Sequence, residues 1–386
     1  MTTLKNIRLG IIGIGNMGSA HSRMVSEGKV PGMELAAIAD VLPEKAEMFP
    51  EATYFSSGKE LIESGKVDAV IIATPHYDHT TLGIAALNAG LHVLVEKPIS
   101  VHKADCEKLI AAHTDKNLVF AAMFNQRTDP RYVKLKKMID AGEFGKINRV
   151  QWTITDWFRT EHYYASGGWR ATWKGEGGGV LLNQCPHQLD LWQWLFGVPS
   201  SVRAHIEIGR FHDIEVEDDV TAYMRYDNGM SGVFITTTGE APGTNRLEIA
   251  SERGRIIVEG QTIRWTRNEQ ETTAFSATTD KGFATPERWN IEIPFNDNGE
   301  QHLGIMKNFA NTILKGEKLI APAAEGIHSV ELAGAMIYSG TNDCTVHMPL
   351  DAAAYESMLM DKIKNSTHVK KVKDTGASSD DFSNSF

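Results

Sequence analysis

Cysteine is scarce in this chain: Cys106, Cys185 and Cys344 are odd in number and far apart, which excludes a disulfide framework and a zinc cluster. Long apolar runs are missing too, none approaching the roughly 20 residues that cross a bilayer, and the N-terminus lacks a secretory signal pattern. Positive charge is in deficit. The formal net charge is -10 and no cluster of Lys and Arg stands out, which argues against general nucleic-acid binding, because phosphate contacts need a basic surface. What remains is a soluble protein of the reducing cytoplasm, with no metal site and a small molecule as partner. Its 386 residues, 42% hydrophobic and 23% charged, suffice for about two domains with sizeable cores.

What is present begins with a short isoleucine-rich strand, Ile7 to Ile12, followed at once by Gly13-Ile14-Gly15-Asn16-Met17-Gly18 and a helical pattern to Val25. Glycines at this spacing, after a strand and opening a helix, allow a tight turn and a pyrophosphate on the helix N-terminus. A second strand, Glu34 to Ala39, ends in Asp40, the position for the ribose hydroxyls of an adenosine. An acid there repels a 2′-phosphate and Val41 offers no cation, so NAD is expected rather than NADP. The strands Asp68 to Ala73, His92 to Val95 and Leu118 to Met123 alternate with helices, which specifies a parallel sheet covered on both faces. Ligands of such sheets bind beyond the carboxyl ends of the strands. Thr74, Pro75, His76, His79, Glu96, Lys97 and Asn125 all lie there. A lysine before a turn proline is ordinarily a solvated residue. Lys97, facing a dinucleotide at the mouth of a buried strand, is expected instead to be desolvated and less basic. Glu96 is expected along the cofactor ribose, and Lys97-Pro98 is a candidate cis peptide.

Beyond Asn125 the character changes. A helix over Pro130 to Ala141 precedes alternating strands at Ile147 to Thr155, Val202 to Glu207, Val220 to Tyr226, Gly229 to Thr238, Arg246 to Ser251 and Arg255 to Glu259, then helices over 302–315, 325–340 and 352–363. The reading is an α/β Rossmann domain over 1–125, a doubly wound parallel sheet, and an α+β domain over 126–364 with a large, open, mostly antiparallel sheet. One sheet face is expected under helices and the other against a partner subunit, making a homodimer or homotetramer. Residues 365–386 have almost no apolar content and read as a disordered tail.

Two segments of the second half carry chemistry. Trp152 to Trp173 is crowded with aromatic and polar groups, among them Trp157, Arg159, Tyr163, Trp169 and Arg170. Such a loop either packs on its own domain or offers aromatic faces and polar groups to a sugar. The second segment is Gly177-Gly178-Gly179-Val180-Leu181-Leu182-Asn183-Gln184-Cys185-Pro186-His187-Gln188-Leu189-Asp190. Its glycines are expected to let the backbone pass close to a ligand. Asn183, His187 and Asp190 would share one side of a helix starting near Cys185, and a lone helix histidine is more often a core residue.

The motifs GIGNMG, Asp40, ATPHYDH, EKP, Trp169-Arg170 and GGGVLLNQCPHQLD, in this order, resemble the glucose-fructose oxidoreductase, inositol dehydrogenase and rhizopine-catabolism (Gfo/Idh/MocA) family over about residues 5–360. The resemblance implies NAD(P)-linked oxidation or reduction of a sugar, anhydrosugar or cyclitol, Lys97 matching the catalytic lysine and His187 the catalytic histidine. It departs at Asn183, where many members carry an acid, and at His76, where they carry asparagine. The expected mechanism is hydride transfer with Lys97 as general base and His187 bonded to the same oxygen, its ring held by Asp190. Asn183, Asp190, Tyr163, Trp157, Arg159 and Gln126 would contact substrate. Gly13 to Gly18, Asp40, Thr74, Pro75, His76, His79, Glu96, Lys97, Asn125, Trp169 and Arg170 would contact cofactor. A glycosidase working by transient oxidation and elimination, and a non-catalytic NAD- and sugar-binding regulator, are the rival readings.

Overall fold

The computed structural model describes residues 6–370 and Val372. Its first half is a six-stranded, wholly parallel sheet built from β1 (Ile7–Ile12), α1 (Asn16–Ser26), β2 (Met33–Ala39), β3 (Thr53–Phe55), α2 (Gly58–Glu63), β4 (Ala69–Ile72), α3 (His76–Asn88), β5 (His92–Val95), α4 (Lys103–Ala112) and β6 (Phe120–Ala122). In the strand order β3-β2-β1-β4-β5-β6, β1, β4 and β5 are short, almost fully buried apolar runs, and such runs need helices on both faces. The order reverses between β1 and β4, so the crevice opens beyond their carboxyl ends.

The three loop glycines do different work there. Gly13 sits at φ 90°, and a Cβ on it would lie 2.8 Å from the Ala73 carbonyl oxygen. A Cβ on Gly18 would fall 1.8 Å from the Gly13 carbonyl oxygen, so only glycine lets α1 close on the turn. A Cβ on Gly15 would meet nothing within 4 Å, and it faces the crevice at the α1 N-terminus, whose first turn holds no acid.

The second half supplies α5 (Pro130–Asp140), β7 (Ile147–Ile154), α6 (Glu161–Ala165), α7 (Pro186–Phe196), β8 (Ser201–Ile208), β9 (Glu217–Arg225), β10 (Ser231–Thr237), β11 (Asn245–Ser251), β12 (Gly254–Glu259), β13 (Thr262–Asn268), α8 (Thr272–Thr278), β14 (Arg288–Glu292), α9 (Gln301–Lys315), α10 (Gly326–Asn342), β15 (Val346–His347) and α11 (Ala352–Asn365). Its nine strands run β14-β13-β12-β11-β7-β10-β9-β8-β15, antiparallel except for the β7–β10 pair. Strands β13 and β14, with the two-residue β15, escape the sequence pattern: β14 is an edge strand exposed at four of its five residues, and β13 and β14 carry Arg264, Arg267 and Arg288 among few apolar residues. One face lies under helices: Trp192 of α7 is fully buried against Phe234, and a Cβ on Gly232 would come within 2.6 Å of its ring. On the other face Tyr223 is exposed.

Two sequence expectations are corrected here. Residues 366–370 are not a loose tail: Ser366 donates to Glu215, and the Lys370 ammonium donates to the carbonyl oxygens of Tyr164 (2.6 Å) and Arg170. Residues 371 and 373–386 of that segment lie outside the described residues. The chain also returns to its first half, since Ile305, Met306 and Phe309 of α9 join the core of the parallel sheet and Ala122 N–H donates to the Ala321 carbonyl at 3.0 Å.

The two sheets are pinned through Arg127, in the turn after β6. Its guanidinium is buried and donates from Nε and a terminal nitrogen to the Asp190 carboxylate at 2.8 and 2.6 Å, and to Glu325 at 2.5 Å. Asp190→Ala would leave that buried cation with Glu325 as its one acid partner, and removing one partner of a buried pair costs up to about 3–5 kcal/mol. Urea unfolding should show a loss of that size. In the glycine loop, Gly15→Val should leave the melting temperature unchanged and abolish NADH binding followed by fluorescence, whereas Gly18→Val should destabilise the fold itself.

Candidate active site

Lys97 leaves the end of β5 through a cis peptide to Pro98, and its ammonium donates to the Asn183 carbonyl oxygen at 2.9 Å. Burial holds its pKa below that of an ordinary lysine; Glu96 and Glu176 oppose the shift, while Arg170 and Arg159 add to it. His187, in the first turn of α7, is buried with its Nδ1 unpartnered and Phe124 edge-on at 6.4 Å. Burial first, then the charges of Lys97 and His302, push its pKa well below the ordinary histidine value, so the imidazole is neutral at working pH. The crevice therefore sets a lysine of lowered basicity beside a neutral histidine.

Asn183 lies in the turn ahead of α7. Its Oδ1 accepts from the Tyr163 hydroxyl and from Gln184 Nε2, both at 3.2 Å, and its Nδ2 donates to the Glu176 carboxylate. Tyr163 in turn accepts from Arg170 at 2.8 Å. The Arg170 guanidinium carbon stands 4.6 Å from the ring centres of both Tyr163 and Trp169, and the Trp169 ring is edge-on to His76 at 5.6 Å. His76 is buried, with Nδ1 3.4 Å from the Glu176 carbonyl oxygen, and burial together with His79 and Lys97 keeps it neutral. Arg159 lies over Trp157 and Tyr163, at 5.4 and 5.1 Å from the ring centres. The aromatic loop thus packs partly on itself and partly around Asn183.

A cavity of about 320 Å³ opens beside this network. Gln126, Asp156, Trp157, Gln188 and Asn245 line it, within the size range of small-molecule sites. Unpartnered buried polar atoms gather around the crevice and cavity: Thr74 Oγ1, Asn125 Oδ1, Trp157 Nε1, Arg159 Nε, His187 Nδ1 and Gln188 Oε1. Buried polar atoms are normally paired, so this concentration marks where a polar ligand belongs.

Four expectations fail geometrically. Asp190 does not hold the His187 ring; its carboxylate is taken by Arg127, because a buried acid one turn along α7 meets the nearer cation. His79 is buried with its ring nitrogens against the carbonyl oxygens of Pro98 (2.7 Å) and Thr74 (2.8 Å), so it ties two strand ends together rather than reaching a cofactor. Glu96 turns inward to His21 Nε2 at 2.7 Å. Burial alone would raise its pKa, but the bond and charge of His21 hold it down at about 2. The glycine run packs on protein rather than ligand: a Cβ on Gly177 would fall 2.0 Å from Val101, and one on Gly179 2.0 Å from the Glu217 carbonyl oxygen. The sequence reading also passed over Glu176, a lone acid beside the glycines whose partners are set only by the fold.

The residues present suit a dinucleotide. Asp40 ends β2 with its carboxylate on the Ile14 and Leu42 N–H groups at 2.6 and 3.0 Å, beside exposed Val41 and no cation. Gly15 leaves the α1 N-terminus open to a pyrophosphate, and Thr74 and Asn125 offer unpartnered oxygens. No helix among the described residues is long and apolar enough to cross a membrane.

Comparison with known proteins agrees. Residues 7–124 match the oxidoreductase family model with an NAD-binding Rossmann fold, and residues 132–257 match the GFO/IDH/MocA C-terminal domain. A levoglucosan dehydrogenase of Pseudarthrobacter phenanthrenivorans is 26% identical over 90% of this chain and 99% of its own. A myo-inositol 2-dehydrogenase of Thermotoga maritima is 28% identical over 66% of this chain and 75% of its own. The WlbA dehydrogenase of Bordetella pertussis, solved with NADH and UDP-GlcNAcA, superposes with a TM-score of 0.75 at 26% identity, covering 90% of this chain and all of that one. With an NAD-binding parallel sheet, an open second sheet and a lysine facing a histidine between them, the chain belongs to the Gfo/Idh/MocA family of NAD-dependent oxidoreductases.

Proposed function

We propose that this enzyme oxidises a secondary hydroxyl of a sugar, anhydrosugar or cyclitol, or reduces the matching ketone. The observation that carries the reading is a lysine of lowered basicity acting on a neutral His187, with a cavity lined by Gln126, Gln188, Asn245, Asp156, Glu259, Arg131 and Trp157 opening at the next residue of α7. NAD, when bound, supplies the hydride acceptor. Lys97, kept less basic by burial, takes the hydroxyl proton, and His187 bonds the same oxygen and fixes its direction. Asn183 and Tyr163 orient a neighbouring hydroxyl, while Gln126, Gln188 and the Trp157 face hold the rest of the ring. The levoglucosan and inositol dehydrogenases among its relatives act on such compounds by name, which supports the class and leaves the choice to the cavity. Exposed Tyr223 on the sheet face turned away from α7 supports a homodimer or homotetramer, and the location that goes with this reading is cytoplasmic.

NADH absorbance on a panel of sugars, anhydrosugars and cyclitols tests the activity. Net NADH identifies a dehydrogenase; sugar release without it identifies an oxidation–elimination glycosidase, and neither result leaves a regulator. Lys97→Ala should retain NADH binding and lose at least about 100-fold in turnover, and retained turnover would remove Lys97 from the mechanism. Because only the free amine accepts a proton, kcat/KM should rise with pH, with a midpoint below the 10.5 of ordinary lysine. Light scattering at a monomer mass would refute the assembly.

A further inference from the structure

Glu176 stands outside the mechanism just given, yet it is a buried acid 2% exposed at the back of the site. One carboxylate oxygen accepts from the Ala171 N–H at 2.5 Å and the other from the Asn183 side-chain amide. Burial pushes its pKa above that of an ordinary glutamate, while the Arg170 and Lys370 charges and the Ala171 and Asn183 bonds favour the charged form. These contacts fix Asn183 in one orientation. Its NH₂ must face the carboxylate and its Oδ1 must face the hydroxyl and amide donors of Tyr163 and Gln184, since a flipped amide would set oxygen against oxygen. The same Asn183 gives its backbone oxygen to the Lys97 ammonium, so carboxylate, amide and lysine form one connected chain.

We propose that Glu176 is the positioning residue of this site: through Asn183 it fixes the amide that meets substrate, and it lays a negative charge behind Lys97. Asparagine accepts no proton, so Asn183 and Glu176 divide between them what a single carboxylate in the crevice would do, one giving direction and the other charge. Lys97 is faced by Glu96 at its own strand end, His76 from α3, Arg159 and Arg170 from the aromatic loop, His187 from α7 and His302 from α9. Glu176 joins that set from behind Asn183; its acids are then Glu96 and Glu176, and Glu96 is already engaged by His21. Removing the Glu176 charge leaves Glu96 alone to offset Arg159 and Arg170 and lowers the affinity of Lys97 for a proton.

The kinetic arm rests on the dehydrogenase reading above; the labelling arm does not. The pH dependence of Lys97 acylation by acetic anhydride, read by peptide mass spectrometry on the full-length protein without substrate, is compared for wild type, Glu176→Gln and the Glu176→Gln/Asn183→Asp double variant. In Glu176→Gln the labelling midpoint should fall by about one pH unit, the effect of one nearby charge, with an equal shift in the acid limb of kcat/KM and about a tenfold loss in kcat. The double variant exchanges acid and amide across the same hydrogen bond and should return both midpoints to wild type. A folded Glu176→Gln with an unmoved midpoint overturns the proposal, as does a shift that the double variant leaves in place. If Glu176→Gln does not fold, the double variant decides alone: a wild-type midpoint supports the proposal and a displaced one overturns it. A labelling shift in a protein that oxidises no polyol would sink the dehydrogenase reading and leave the role of Glu176 standing.

Discussion

Everything in this site depends on the buried ion pair between Arg127 and Asp190. Lys97 belongs to the parallel sheet and His187 to the helix laid on the second sheet, so the two can meet only if the halves are held in one register. Arg127, just past the last parallel strand, reaches Asp190 on the same short helix as His187 and Glu325 just ahead of α10. Its fork geometry suits the task, because a planar guanidinium gripping a carboxylate twice restrains rotation as well as distance. Burial of such a pair is a weak source of net stability and a strong source of specificity. Here it helps to align the strand end that bears Lys97 with the helix that bears His187.

Much of this was legible in the residues. The parallel sheet followed from short apolar runs and the glycine spacing, and Asp40 and Lys97 stand at the strand ends where the pattern put them. Such features are local: a strand, a tight turn and a helix start each leave a mark within a few positions. Six strands of the second sheet were legible for the same reason. Strands β13, β14 and β15 were not: β14 is a charged edge strand, β13 beside it is rich in arginine, and β15 is only two residues long.

What sequence could not supply was partnership. Asp190 and His187 are three apart on a helix, and spacing alone suggested that the acid serves the histidine. The fold brings Arg127 from a distant segment, and the stronger charge claims the acid. Glu96 and His79 were drawn towards the crevice by their place at strand ends, yet each is buried and must satisfy its polar atoms inside. His21 and two backbone carbonyls do so. Glu176 was overlooked for the converse reason, since nothing in Lys174-Gly175-Glu176-Gly177 marks an acid whose partners are seven residues downstream and near the far end of the chain.

That far end has a consequence of its own. Lys370 ties two carbonyls of the loop that bears Tyr163, Tyr164 and Arg170, so the final described residues stitch the rim of the crevice shut from behind. The segment around Lys370 is therefore part of the wall of the crevice. Anything fused or cleaved there acts on the walls that receive substrate, and natural variation in that stretch becomes a route by which one scaffold can be retuned without touching a residue that meets the reactants.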